Sequence, residues 1–120
     1  MAKNILIADD NSIVREVLRE CLRATSEFET TEAADGREAI EKAKATRPDL
    51  IILDLAMPVL NGAQAARILK QLLPEVPIVM FTMFKVGSDW AKDIGVDAVV
   101  SKPDGIAQLT RCVENFLAPH

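Results

Sequence analysis

Apolar positions along the chain alternate between short unbroken runs and stretches with helical spacing. Ile5 to Ala8 is a short apolar run that stops at Asp9, Asp10, Asn11 and Ser12. Val14, Val17, Leu18, Cys21 and Leu22 then recur at helical spacing, so the order is strand, loop, helix. Phe28 to Glu32 alternates apolar or β-branched residues with polar ones, which predicts a half-exposed edge strand. Asp35-Gly36 turns the chain, and Glu38, three residues after Asp35, predicts a capped second helix from Arg37 to Thr46. Arg47-Pro48 closes that helix, because the residue before a proline disfavours helical backbone. Leu50 to Leu53 is apolar at every position, the pattern of a parallel strand covered on both faces, and it ends on Asp54. After a loop with Pro58 and Gly62, the positions Ala65, Ile68, Leu69 and Leu72 predict a third helix that ends near Pro74. Pro77 opens a strand from Ile78 to Phe81 that reaches Thr82, and Gly87 to Ile94 reads as a short, irregular fourth helix stopped by Gly95. Ala98 to Val100 is the fifth strand, running into Ser101, Lys102 and Pro103, and Ile106, Leu109, Val113, Phe116 and Leu117 mark the last helix.

Strictly alternating strands and helices of these lengths predict a single α/β domain over residues 1–120. The expected architecture is a doubly wound five-stranded parallel sheet with right-handed crossovers and helices on both faces, a flavodoxin-like three-layer sandwich. With strand order 2-1-3-4-5, the alternating strand lies at an edge and ligands bind outside the carboxyl ends between the first and third strands.

Composition narrows the function. A chain of 120 residues with 49% hydrophobic and 27% charged residues has the balance of a globular domain rather than of a disordered or fibrous one. Fourteen Lys and Arg against eighteen Asp and Glu give a net charge of −4, and the basic residues are scattered, so no direct nucleic-acid binding is expected. No apolar run approaches the roughly 18 residues of a membrane span, and Ile5 to Ala8 is too short for a signal-peptide core, so a cytoplasmic location is the expectation. Cys21 and Cys112 lack partners at metal-ligand spacing and read as reduced, mostly buried thiols.

Four strands stop on polar residues, and parallel strands share one carboxyl edge, so Asp9, Asp10, Asp54, Thr82 and Lys102 are expected in one cleft. Carboxylates about 4 Å apart repel by roughly 4 kcal/mol per pair at an effective dielectric near 20, and a divalent cation is the simplest compensation. An all-oxygen donor set with room for water and a phosphate oxygen suits Mg²⁺. With the charge absorbed, one carboxylate can act as a nucleophile toward phosphorus, while Thr82 and Lys102 contact phosphoryl oxygens.

This set resembles the receiver domain of two-component response regulators: Asp9-Asp10, then Asp54 within Leu50 to Pro58, then Thr82, then Lys102-Pro103. Asp35 to Ala39, Pro48-Asp49-Leu50 and Asn61-Gly62 resemble the family's punctuation between elements, and the resemblance covers essentially the whole chain. It implies that Asp54 accepts a phosphoryl group from a sensor histidine kinase or a histidine phosphotransfer protein. It further implies that Asp10, Asp54 and the Ala56 carbonyl ligate Mg²⁺, with Asp9 acting mostly through a water. Thr82 and Lys102 would contact the phosphoryl group, and the Lys102-Pro103 peptide is often cis in the family. Phosphorylation would then shift a two-state equilibrium on the face of the fourth helix, fifth strand and fifth helix, altering binding to a downstream effector or output domain, or pairing two copies. Such a chain is no enzyme beyond catalysing its own phosphorylation and dephosphorylation.

Three departures from the commonest pattern stand out. Val99 occupies the position of a switch aromatic, which puts in question its usual coupling to Thr82. Met83 and Phe84 follow Thr82 where a small residue is usual, and their bulk is expected to restrict water at the acyl phosphate. The interval from Thr82 to Lys102 is short, which predicts a truncated fourth helix. Taken singly, each site residue has a plainer reading: a strand-end aspartate is commonly a turn or cap, Lys102 a solvated lysine, Thr82 a β-branched strand residue. Met80, Phe81 and Phe116 are expected in the core, Trp90 either half buried or a partner anchor, and His120 frayed.

Other function classes fit less well. An aspartate-nucleophile phosphatase resembles Asp-x-Asp at the nucleophile, whereas Leu55-Ala56 follow Asp54 here. A flavin carrier of this topology needs hydroxyls and amides in its first loop, not Asp9-Asp10. A receiver-like interaction domain that is never phosphorylated is the remaining alternative, and failure to bind Mg²⁺ would favour it.

Overall fold

The computed structural model describes residues 2–24, 27–102 and 105–118. The strands are β1 (Lys3–Ala8), β2 (Phe28–Ala33), β3 (Leu50–Leu53), β4 (Ile78–Thr82) and β5 (Ala98–Ser101). The helices between and after them are α1 (Ser12–Arg23), α2 (Gly36–Thr46), α3 (Gly62–Leu72), α4 (Ser88–Asp93) and α5 (Ile106–Leu117). All pairings are parallel and the strand order is β2-β1-β3-β4-β5, as the alternation of elements predicts.

The central strands are apolar at every position because successive residues feed opposite faces. Leu6, Ile51, Leu53, Ile78 and Met80 point to the side covered by α2, α3 and α4, where Ala39, Ala43, Ala65, Ala66, Leu69 and Ala91 meet them. Ile5, Ile7, Leu50, Ile52, Val79 and Phe81 point to the side covered by Leu18 and Leu22 of α1 and Leu109 and Val113 of α5. β2 carries Glu29 to Glu32 between its buried ends Phe28 and Ala33, in keeping with an edge position.

Helix-face detail departs from the periodicity. On α3, Ala65 and Leu69 are buried as expected, but Ile68 and Leu72 are 36% and 42% exposed, because Ala66 takes a core position instead. Small alanines let α3 lie close to the sheet and turn the larger residues outward. Val17 of α1 is similarly exposed at 39%. Phe116, expected in the core, is 36% exposed: α5 buries Leu109 and Val113 and leaves the ring near its end. Met80 and Phe81 are core residues as expected, and Trp90 is 39% exposed. Cys21 and Cys112 are free thiols of intermediate exposure, less buried than expected, and burial pushes the Cys112 thiol up. The Lys102-Pro103 peptide and His120 lie outside the described residues.

Among the described residues, no helix is long and apolar enough to cross a membrane.

An acidic cluster at the carboxyl edge of the sheet

The parallel ladder runs one residue past the strand ends. The Asp54 N–H donates to the Ala8 carbonyl at 2.9 Å, and the Asp9 N–H donates to the Ala33 carbonyl at 3.1 Å. Since Ala8 stands opposite Leu53 in the register, Asp9 and Asp54 leave adjacent strands at the same level. Carboxylate oxygens of Asp9, Asp10 and Asp54 all lie within 4.8 Å of one another. Asp9 and Asp54 are buried, at 2% and 5% exposure, and Asp10 is exposed.

Lys102 follows β5, which β4 separates from β3. Its Nζ nevertheless lies 2.9 Å from Asp9 Oδ2 and 3.1 Å from Asp54 Oδ2. Crossing the end of β4 means covering about two strand spacings, near 10 Å, which explains a long unbranched stem at this position. One ammonium against three carboxylates leaves the cluster net negative. Burial and the neighbouring Asp9 charge raise the Asp54 carboxyl above its ordinary range, against the opposing pull of Lys102 and the Leu55 N–H. For Lys102, burial works against the charge, but the hydrogen bonds to Asp9 and Asp54 outweigh it and hold the ammonium above its usual range.

Thr82 ends β4 opposite Ser101 and is fully buried. Its Oγ1 accepts the Phe84 N–H at 3.2 Å, which leaves the hydroxyl proton available to another acceptor. Met83 and Phe84 are 65% and 56% exposed. Val99 is partly buried against the α2–α3–α4 side and borders an open groove of about 760 Å³, with Phe84, Val86, Ala91 and Ala98 also on its walls. α4 has six residues, the truncation expected from the short interval.

The loops carrying the carboxylates are closely fitted. Asp9 Oδ1 accepts the Asn11 N–H at 2.9 Å, and the Asn11 side chain in turn caps α1 by accepting from Ile13 and Val14. Beyond Asp54, the Leu60 N–H donates to the Pro58 carbonyl around Val59, whose φ of 71° is strained for a β-branched residue. Asn61 and Gln64 form a reciprocal capping box at the start of α3. A Cβ on Gly62 would stand 2.2 Å from the Asp54 carbonyl oxygen, so only glycine lets α3 approach the acceptor loop this closely.

The sequence reading did not single out Arg15, Glu32, Asn11 or Gly62 as site residues. The Asn61-x-x-Gln64 pattern could have marked the cap at α3. Arg15 has no local signature. Its Nη1 donates to the Asp9 carbonyl at 2.6 Å and its Nε to Glu32 Oε1 at 3.2 Å, contacts made across strands.

The three carboxylates supply hard oxygen donors with no nitrogen or sulfur among them, and one of them is solvent-facing, a set that fits Mg²⁺. Ala56 is exposed in the loop just beyond Asp54. The profile of the response regulator receiver domain matches residues 5–114. The chain belongs to this family.

Relatives of this receiver domain differ in extent. Transcriptional regulatory protein LnrK of Bacillus subtilis is 42% identical over 82 residues, which span 68% of this chain and only 37% of LnrK. The polar-differentiation response regulator DivK of Brucella anthropi is 29% identical over 121 residues, covering 98% of both chains. Among solved structures, a LuxR-family two-component response regulator from Aurantimonas superposes with a TM-score of 0.89 at 32% identity. It covers 98% of this receiver domain and 86% of its own chain. Receiver domains of this family interact with histidine kinases or phosphotransfer proteins.

Proposed function

We propose that Asp54 is the phosphoryl acceptor of a Mg²⁺-dependent two-component signalling reaction, and that its phosphorylation switches partner binding. The observation that carries this reading is the Lys102 bridge between the buried Asp9 and Asp54 in the three-carboxylate cluster at the sheet's carboxyl edge. Asp54 is the cluster member that follows β3, the middle strand of the five, between β1 and β4.

In this reading an Asp54 carboxylate oxygen attacks the phosphorus of a phosphohistidine. The P–N bond breaks with its electron pair passing to the ring nitrogen, and an acyl phosphate forms. Asp10 and Asp54, with the Ala56 carbonyl and with Asp9 at one remove, would hold Mg²⁺, which supplies positive charge against the carboxylates and the phosphoryl oxygens. Asp10 suits the ligand role because it is exposed, whereas Asp9 is already engaged by Lys102 and the Asn11 N–H. Lys102 neutralises a phosphoryl oxygen from where it now meets Asp54, and Thr82 turns its free hydroxyl proton to another.

Recruitment of Thr82 and Lys102 biases the ends of β4 and β5, and through them the face of α4, β5 and α5. A downstream effector, an output domain or a second copy of the chain would read that face, and Val99 would stand in the switch position beside Thr82. The donor would be a sensor histidine kinase or phosphotransfer protein in the cytoplasm.

Intact mass after incubation with Mg²⁺ and a small acyl phosphate tests the reading. One phosphoryl adduct is expected, absent in Asp54→Asn and after chelation. No adduct on the wild type would overturn it in favour of an unphosphorylated interaction domain.

A further inference from the structure

Arg15 lies one turn into α1, and its guanidinium joins the Asp9 backbone to the Glu32 side chain, two groups that the sequence keeps apart. Nη1 donates to the Asp9 carbonyl at 2.6 Å, at the point where β1 gives way to the acidic loop. Nε donates at 3.2 Å to Glu32 on the edge strand, and Arg19 holds the other Glu32 oxygen at 2.8 Å. The Lys42 ammonium, on the far side of the strand's end, donates to the Glu32 carbonyl. Glu32 pairs with Ile7 in the register, so this anchor sits beside the end of β1, just before Asp9 and Asp10. The Arg15 side chain is 17% exposed, and a planar fork held at two nitrogens has little freedom to move.

We propose that Arg15 is a positioning residue for the acidic cluster: by tying the Asp9 carbonyl to Glu32 it fixes the Asp9-Asp10 loop and sets the cluster's affinity for a divalent cation. This rests on the cation-binding part of the reading above. The sign of the effect separates positioning from mere proximity. A guanidinium near three carboxylates repels an incoming cation, so if Arg15 acted only as a charge, neutralising it would tighten cation binding. If it acts by holding the loop, neutralising it loosens the ligands and weakens binding, and loss of such an outer support costs on the order of tenfold.

The test is Mn²⁺ binding, read from the free-ion signal by electron paramagnetic resonance, on the wild type, Arg15→Met, Arg15→Lys and Glu32→Gln, with circular dichroism as the folding control. Arg15→Met keeps the apolar stem and is expected to weaken Mn²⁺ affinity by about tenfold. Arg15→Lys keeps the charge but lacks the fork and is expected to rescue only part of it. Glu32→Gln is expected to give a smaller loss in the same direction, and no further loss when added to Arg15→Met. Unchanged or tighter binding in Arg15→Met overturns the proposal, and if that variant does not fold, unchanged binding in Arg15→Lys and Glu32→Gln does so. Wild type that binds no Mn²⁺ overturns the cation reading itself, a result distinct from a wild type that binds and an Arg15 variant that binds equally well.

Discussion

The two halves of the sheet's carboxyl edge are built to different standards. On the β1 and β3 side, α1 is capped by Asn11, α2 by Asp35 and α3 by a reciprocal Asn61–Gln64 box, and glycine contacts press the helix starts against the loops. On the β4 and β5 side, α4 and α5 begin at Gly87 and Gly105 with no side-chain cap among the described residues, α4 has six residues, and Met83 and Phe84 stand in solvent. Elements with few caps and few buried contacts open at the lowest free-energy cost. The fitted half holds carboxylates, where an ångström matters to a cation. In the proposed reading, the loose half is where a bistable element would have room to move, and a rigid one would transmit nothing.

The harshest way to break this comparison is at Gly62. An added Cβ meets the Asp54 carbonyl oxygen at 2.2 Å, and backbone has no rotamer with which to yield. Gly62→Ala is expected to cost about 3 kcal/mol in urea denaturation and to impair phosphorylation of Asp54. Gly36, whose added Cβ would meet the Leu60 carbonyl oxygen at the same 2.2 Å, should behave likewise. A loss below about 1 kcal/mol in both would mean that the β3–α3 loop is as compliant as the α4 side.

A second test uses the charge stored in the fitted half. Burial and Asp9 raise the Asp54 carboxyl, so the folded chain holds its proton more tightly than the unfolded one. Asp54 therefore favours folding below its unfolded pKa, and that contribution is lost as the pH rises through the raised folded value. Asp54→Asn is accordingly expected to stabilise the metal-free protein by roughly 1 kcal/mol at neutral pH. The gain should vanish below about pH 4, where both states are protonated, and shrink when Mg²⁺ is added. A destabilised variant at neutral pH would show that the Lys102 bridge outweighs burial and repulsion.

Much of this was readable from the chain because strands carry simple signals. Leu50 to Leu53 can satisfy only a doubly covered strand, and polar residues ending the apolar runs locate the edge on which Asp9, Asp54, Thr82 and Lys102 meet. Helix faces were less legible, since apolar spacing at Ile68 and Leu72 does not reveal that Ala66 packs closer to the sheet. Arg15 and Glu32 were invisible for a different reason. Their contact depends on β1 and β2 lying in register, a property of strand pairing and not of local pattern. Gly62 looked like a loop glycine until the approach of the Asp54 carbonyl gave it a steric reason.

The gentlest test works on the loose half alone. Gly87 precedes α4 with φ −72° and ψ 146°, the extended backbone of a helix N-cap, and a Cβ there meets nothing within 4 Å. Gly87→Ser therefore adds a hydroxyl that can accept from the first turn without disturbing a neighbour, worth about 0.3 kcal/mol relative to glycine. So small a gain hardly moves a global melt, but it should slow hydrogen exchange at Ala91 and Ile94, whose N–H groups donate to Gly87 and Trp90 across the short helix. Phosphorylation by a small acyl phosphate should proceed at the wild-type rate, because the carboxylates, Thr82 and Lys102 are untouched. If α4 amides in the wild type already exchange as slowly as those of α2 and α3, the missing cap carries no dynamic consequence, and the difference between the halves lies in packing around Val99 and its groove.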